Sequence, residues 1–520
     1  MKRSKQKGVA LIFALIFILV LSVTAASLMF LSQSETWSSL NYRLMTQSRY
    51  GAEAGLHAAA NYLMNTYPQP GVSPADPLAA YNMTVSPVTL IAGVTPIALG
   101  PTMNGISANY PIAATLNNFN TKTQGSLAAG NNTVSYSVSA ELLSMRQVRE
   151  CQNLQNLTAQ LWKLTSHGDI GVATTTVRNA EVEVSALLES HVTPCYNYAG
   201  FATGNGCGSI SFNGGGTIDS YNSTPGILQL SGGQPVTQTY EGNLGSNGNV
   251  NTAPGTVVNG TFASPDTGVG ACGGGGGVDA LSGNTTAVTG CSTATTCVAP
   301  PGLVKLPQTV TMVTPQIPTT VPPPAPGVSS PSTLTPCSGV CPANGANNGN
   351  YGDISLSGNS GQVVTFVPAV VGNVCQPGIY YVNSISLTGQ ASIAIGPCPN
   401  NPAVYMPIII NVVGNGQATP LDIGGNGIAN STFNSTLLQI QYGGTGAINL
   451  HGNGSSSGVL YAPNSPITFS GNANWYGSVI GNTIQSNGGA SVSIHYDRAL
   501  QQNLMTVGNW TLDTFTWSKY

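Results

Sequence analysis

Hydrophobic and polar positions divide this 520-residue chain into stretches of different period. From Val9 to Leu31 no charged residue occurs, and an apolar helix of about 20 residues crosses the hydrocarbon core of a bilayer. Leu40, Leu44, Leu56 and Leu63 then stand among helix-compatible residues without proline, and Pro68 and Pro70 stop the run. The pattern predicts one helix from Val9 to about Asn65, ~85 Å long at 1.5 Å per residue. Residues 68–130 are polar, with short apolar pieces such as VTLIAGVTPIALG, and read as a loop-rich layer without helices. Alternation places Val134, Tyr136, Val138 and Ala140 on one face of a strand over 132–143. It does the same for Ala180, Val182, Val184 and Ala186 over 174–187. Between them, Arg146 to Leu164 is charged and helix-compatible.

From about residue 195 the period changes. Pieces of the form apolar-x-apolar, such as GSISFNGGGTIDSY and SPITFSGNANWYGSVIGN, recur at roughly 20-residue spacing between turns of Gly, Asn and Ser. Imperfect β repeats of this kind predict a solenoid over 196–262 and 350–500, each turn burying on its neighbours what it cannot bury alone. A β-sandwich with Gly-rich turns is the alternative. Between the two blocks, CGGGGG and TPQIPTTVPPPAPGVSSPSTLTP cannot enter a sheet, so this stretch reads as an excursion. The expected class is α+β: a long transmembrane helix with a small sheet, then a mainly-β solenoid. The expected divisions are 1–8, a basic leader; 9–66, the helix; 67–194, an α+β region; 195–267, a first β block; 268–349, the excursion; and 350–520, a C-terminal solenoid-like domain.

Lys2, Arg3, Lys5 and Lys7 precede the apolar run and no basic residue closely follows it, which keeps the N-terminus cytoplasmic and sends the chain from Ser32 onward outside. The boundary KQKG|VALIFALIFILVL resembles the leader and first helix of type IV pilins and type II secretion pseudopilins. The resemblance implies that a prepilin peptidase cuts between Gly8 and Val9 and methylates Val9. Most members carry glutamate five residues after the cut; here that place is Phe13, as in the GspK-type and PilX-type minor subunits. AEAGL, Ala52 to Leu56, resembles the PilX-type N-terminal domain. Phe13, Leu15, Ile18, Leu21, Ala52, Glu53, Ala54, Gly55 and Leu56 are therefore the expected membrane and assembly positions, the small ones letting helices approach closely. The resemblance covers residues 1–66 and more loosely extends to 190. The pieces from SGVLYAP to HYDRAL resemble a module attached to PilX-type N-termini in large bacterial surface proteins. An uncleaved anchor, or a cut after Ala25 or Ala26, are the other readings of the segment from Met1 to Leu31.

Charge and cysteine content narrow the classes further. Beyond Ser190 the basic residues are Lys305, Arg498 and Lys519, so no basic patch can hold a nucleic-acid backbone, and nucleic acid is not an expected partner. All 10 cysteines lie on the exported side, where disulfides form. Neighbour pairing offers Cys195 with Cys207, Cys337 with Cys341 and Cys375 with Cys398. No metal, cofactor or catalytic set is expected, although His495 and Asp497 fall on one face of a strand beside Arg498. A structural cap on the last turn is the preferred reading of that cluster. Trp475 and Tyr476 are candidates for surface recognition, against a core role. The function expected is a non-enzymatic minor pilin-like subunit of a pilus or secretion system. It partners other pilin subunits, the inner membrane, the prepilin peptidase and a surface ligand, with glycan as one class. The alternatives are an anchored β-helix enzyme acting on polysaccharide and a structural envelope protein.

Overall fold

The computed structural model describes residues 7–519 apart from 72–74, 131, 152–155, 172–179, 271, 273–276, 290, 292–301, 317–327, 329–331, 337–348, 359–361 and 488–491. It forms two compact units. The first comprises residues 1–148, 156–192 and 507–520; the second comprises 149–155 and 193–506. The chain therefore passes between them four times, after Val148, Gln155, Val192 and Thr506.

In the first unit one helix runs from Lys7 to Asn65, and its C-terminal half lies on a sheet. The sheet places Ala98–Leu99, Asn132–Arg149, Asn156–Gly171, Ala180–Pro194 and Met505–Lys519 side by side in that order, with Gly125–Ala129 paired to the second. Period-2 alternation turns Val138, Ala140, Leu142, Trp162, Leu164, Val182, Val184, Ala186 and Leu188 inward, where they meet Ala52, Leu56, Ala59 and Leu63 of the helix. The approach is close enough that a Cβ on Gly55 would stand 2.5 Å from Ser166 Oγ and 2.8 Å from Tyr136.

Several sequence expectations are corrected here. Arg146 to Leu164 is not the expected helix: its described residues are the ends of two long neighbouring strands, whose apolar face covers the N-terminal helix. The layer expected to lack helices contains one at Ala113–Thr123, docked through Phe119 onto Tyr62 at 5.5 Å between ring centres. Met505–Lys519, assigned by sequence to the solenoid, completes the first unit's sheet beside Ala180–Pro194. The main body of the second unit, from Thr193 to Thr506, is thus an insertion between two neighbouring strands.

The second unit is a parallel three-faced β-solenoid. On one face Ile354, Ile385, Leu421, Ile448, Ile467, Ile484, Ile210, Val250 and Leu281 stack in register, turn upon turn. None is more than 1% exposed. At about 1.5–3 kcal/mol for each buried aliphatic side chain, this column is a principal source of cohesion. The residues after them, among them Ser386, Asp422, Asn449, Thr468 and Ser211, point outward, which explains the apolar-x-apolar repeats. A second face runs from Tyr380 through Ile410, Ile440, Leu460 and Val479 to Leu244 and Phe262. A third carries Trp475, Ile494, Ile218 and Val258.

The order of the turns is not the order of the chain. Val479–Gly481 and Ile484–Ser486, late in the unit's sequence, pair with Gly200–Ala202 and Ile210–Phe212 at its beginning. The chain enters the solenoid in its middle, winds to one end at Leu303–Lys305, crosses back, and winds from Asn350 toward its starting point. One turn is composite: Ser493–Asp497 supplies its third face and residues 200–212 the other two.

The expected excursion is shorter than the sequence indicated. Leu281–Gly283 and Leu303–Lys305, inside residues 268–349, are strands of the last turns. Beyond Lys305 the chain becomes a return strap laid across the turns. Asn247 receives a bond from Val310 N (2.7 Å) and donates to Val310 O (2.9 Å), and Tyr461 Oη donates to Val313 O (2.6 Å).

Candidate functional site

The N-terminal helix has two halves with opposite environments. Phe13, Leu15, Ile18 and Leu21 are 67%, 61%, 62% and 54% exposed, and the apolar window of the helix buries nothing within the protein. An unbroken apolar surface of this size needs a bilayer or a partner to cover it. The few hydroxyls in it are already satisfied: Ser22, Thr24 and Ser27 bond to the carbonyls of Ile18, Leu21 and Val23 at 2.6, 2.9 and 2.8 Å. Each of these side-chain hydroxyls therefore has a partner inside the helix, as entry into hydrocarbon requires. Gly8 and Val9 lie in its first turns, while Met1 to Gln6 of the leader lie outside the described residues.

The docked half begins at Leu44. Ala52, Gly55 and Leu56 are buried against the protein's own sheet rather than left open for another helix, which corrects their expected role. Small side chains are used there to bring helix and strand together. Glu53 stays at the rim in an ion pair with Arg49 (2.8 Å), and Ala54 is half-buried.

The polar and aromatic candidates of the solenoid are also interior. Trp475 is 1% exposed, inside the third face, and its Nε1 donates to Gly458 O at 3.0 Å. Tyr476 is 5% exposed although it points outward, because the loops around Phe433 and Tyr221 cover it edge-on at 5.2 and 5.5 Å. His495 stacks on its other side at 4.4 Å. Burial pushes the Tyr476 phenol up to about 12. Neither residue offers a recognition surface, which corrects the sequence expectation.

His495 and Asp497 share a strand face but not a bond. His495 Nδ1 meets Asp219 Oδ1 at 2.5 Å across the composite turn. Asp497 is fully buried and accepts from Ser223 N (3.1 Å), Ser223 Oγ (2.6 Å), Ser435 N (3.1 Å) and Ala499 N (3.1 Å). Burial moves its carboxyl above the usual range while these donors pull it down. Arg498 spans Glu241 (3.4 Å) and the Tyr240 ring (4.9 Å). Each of these groups ties one chain segment to another, and the Asp219–His495 and Asp497–Ser223 contacts join the beginning of the solenoid to its end.

One disulfide lies where the chain enters and leaves the solenoid. Cys151 is bonded to Cys195 and Cys207 to Cys272, so the neighbour pairing of Cys195 with Cys207 is corrected. Cys375 is bonded to Cys398, and Cys337 and Cys341 lie outside the described residues. Around Cys151–Cys195 the chain's entry and exit are pinned: Cys195 N donates to Leu504 O (3.2 Å), and Tyr496 Oη to Tyr196 O (2.5 Å). Among the described residues no group of three or more His, Cys, Asp or Glu side chains converges.

Among the described residues of the solenoid, two cavities matter here. One of about 530 Å³ lies beside Cys151–Cys195, lined by Tyr196, Tyr198, Phe201, Tyr461 and the strap residues Val310 to Val313. Burial pushes the Tyr198 phenol up. The other, about 370 Å³, lies on the third face near Phe433. Sequence periodicity could not reveal either one, because each is formed by a loop folding over a regular face.

Residues 7–57 match the family described as PilX N-terminal, and residues 407–503 match a domain of unknown function (DUF7305). Curated proteins give no match. Among solved structures, the competence-associated pilin ComZ from Thermus thermophilus aligns over 92% of this chain and 98% of its own. The identity is 13% and the TM-score 0.29, a level that does not establish a common fold. At its N-terminus the chain is thus similar to type IV minor pilins, with a large C-terminal domain added.

Proposed function

We propose that this chain is a minor, non-enzymatic pilin subunit that presents its solenoid for adhesion or surface recognition. Before assembly the Val9–Leu31 segment is held in the inner membrane with its N-terminus cytoplasmic. A prepilin peptidase cuts between Gly8 and Val9 and methylates Val9, and the same apolar surface then packs against other pilin subunits in the filament. The observation that carries this reading is the sharp division of the helix. Its apolar half is bare in a segment matching the PilX N-terminal family, and its other half is docked on a sheet.

Phe13 cannot make the charge pairing that glutamate supplies, so contacts along the filament are apolar. A second unit as large as the Thr193–Thr506 insertion obstructs stacking of a further subunit, which favours a tip or initiating position. The buried hydrogen-bonded state of Asp497 and the structural pairing of His495 with Asp219 favour a display role over catalysis for the solenoid.

The mature N-terminus tests the proposal. Mass spectrometry of protein from membranes and from sheared surface filaments should find methylated Val9 as the first residue in both. Met1 retained in the sheared fraction, or a new terminus following Ala25 or Ala26, would overturn it.

A further inference from the structure

The outward row of the solenoid's third face changes along its length from large side chains to small ones. Tyr476, His495 and Asp219 fill it under the loops Asn222–Glu241 and Asn430–Leu437, whereas Ala394 and Ala429, paired in register, leave it open. The space left is the cavity of about 370 Å³, within the ~300–1,000 Å³ usual for small-ligand sites.

Its walls are specific. Phe433 holds a left-handed backbone (φ 51°), a conformation that a bulky residue keeps only where surrounding structure enforces it. The enforcement is visible: Phe433 N donates to Asn430 O (3.0 Å), and Phe433 O accepts from Tyr221 Oη (2.7 Å). The ring is thereby fixed edge-on to Tyr476 at the cavity's side. Opposite it Gln234 projects from a short hairpin. Gln234, Ser431 and Ser455 line the cavity, and the Gln234 amide and the two serine hydroxyls make no hydrogen bond among the described residues. Among the described residues no charged side chain lines it.

An aromatic wall, an amide and two free hydroxyls without charge match a ring with an apolar C–H face and several hydroxyls. We propose that this cavity binds one neutral hexopyranose unit of a surface glycan. This deepens, and rests on, the reading of the solenoid as a displayed recognition domain. The absence of lining charge selects against sialic acid, uronic acids and phosphorylated sugars, which carry an anion that this cavity cannot pair.

The test uses the full chain in a detergent without a sugar headgroup, with methyl glycosides of glucose, galactose, mannose and N-acetylglucosamine as probes in saturation-transfer NMR. At least one should receive saturation. Ala429→Trp, filling the cavity from an exposed position, should weaken binding more than tenfold with the unfolding temperature unchanged, and Gln234→Ala should weaken it several-fold. No transfer to any neutral pyranoside, or transfer that both variants leave unchanged, overturns the proposal, as does competition by an unglycosylated peptide alone. Adhesion of protein-coated beads to cell surfaces separates the two levels. Wild-type adhesion that Ala429→Trp leaves intact sinks the cavity and spares the recognition reading; no adhesion and no transfer sinks both.

Discussion

The apolar half of the N-terminal helix and the solenoid are both built from aliphatic residues, yet they dispose of them in opposite ways. Between Val9 and Leu31 the side chains are bare and the backbone is satisfied within the helix, so the segment is complete in its bonds and incomplete in its cover. In the solenoid the isoleucine and leucine columns are covered by the next turn, and the ladder bonds run between turns. One region depends on what surrounds it and the other on itself. The bare stretch is the part that a bilayer or a partner must cover, and its removal should leave the solenoid's cohesion untouched.

The largest expected effect that sharpens this contrast is within the column. Ile448→Ala removes a fully buried side chain held between Leu421 and Ile467, and should cost about 2–5 kcal/mol in chemical denaturation. Membrane partition should stay normal. Leu15→Lys does the reverse: a charge inside the span, off its centre, costs up to about 3 kcal/mol of insertion, and fractionation should find less protein in the membrane while the solenoid's denaturation midpoint holds. If Leu15→Lys also destabilises the solenoid, the two regions are not independent.

The smallest effect concerns Asp497, where the beginning of the solenoid's sequence meets its end. Asp497→Asn turns an acceptor of four donors into a group with an opposing amide, a loss of about 1–3 kcal/mol. Because burial raises the carboxyl above its usual 3.8, the folded state holds a proton more readily than the unfolded chain. Wild-type stability accordingly falls as pH rises from 3.8 through the raised value, while the variant lacks that slope. Denaturation midpoints measured against pH should show the gap between the two proteins narrowing over that range.

The sequence made some of this plain and concealed the rest for identifiable reasons. The helix was legible because a charge-free run followed by Pro68 and Pro70 has few other meanings, and the solenoid because outward Ser, Asn and Thr alternate with inward Ile and Leu. Arg146 to Leu164 misled because charged residues sit at the exposed positions of a hairpin as readily as on a helix. Met505–Lys519 could not be assigned to the first sheet from its own pattern, since its pairing partner, Ala180–Pro194, lies on the far side of the whole insertion in sequence. For the same reason the composite turn was invisible: repeats of one length do not reveal which copy neighbours which. Trp475 and Tyr476 stood as surface candidates because NANWYGS reads as a turn-rich piece, whereas Trp475 points into the solenoid core and Tyr476 is covered from around Tyr221 and Phe433, far away in sequence. The Phe433 cavity gave no local signal, as its lining comes from four separate segments.

The four passages of the chain between the two units have a mechanical meaning. An inserted domain on a single flexible linker loads one strand of polypeptide when it is pulled, and the linker stretches first. Here tension reaching the solenoid is divided among peptide segments leaving Val148, Gln155, Val192 and Thr506, and the Cys151–Cys195 bond ties two of them covalently where they start.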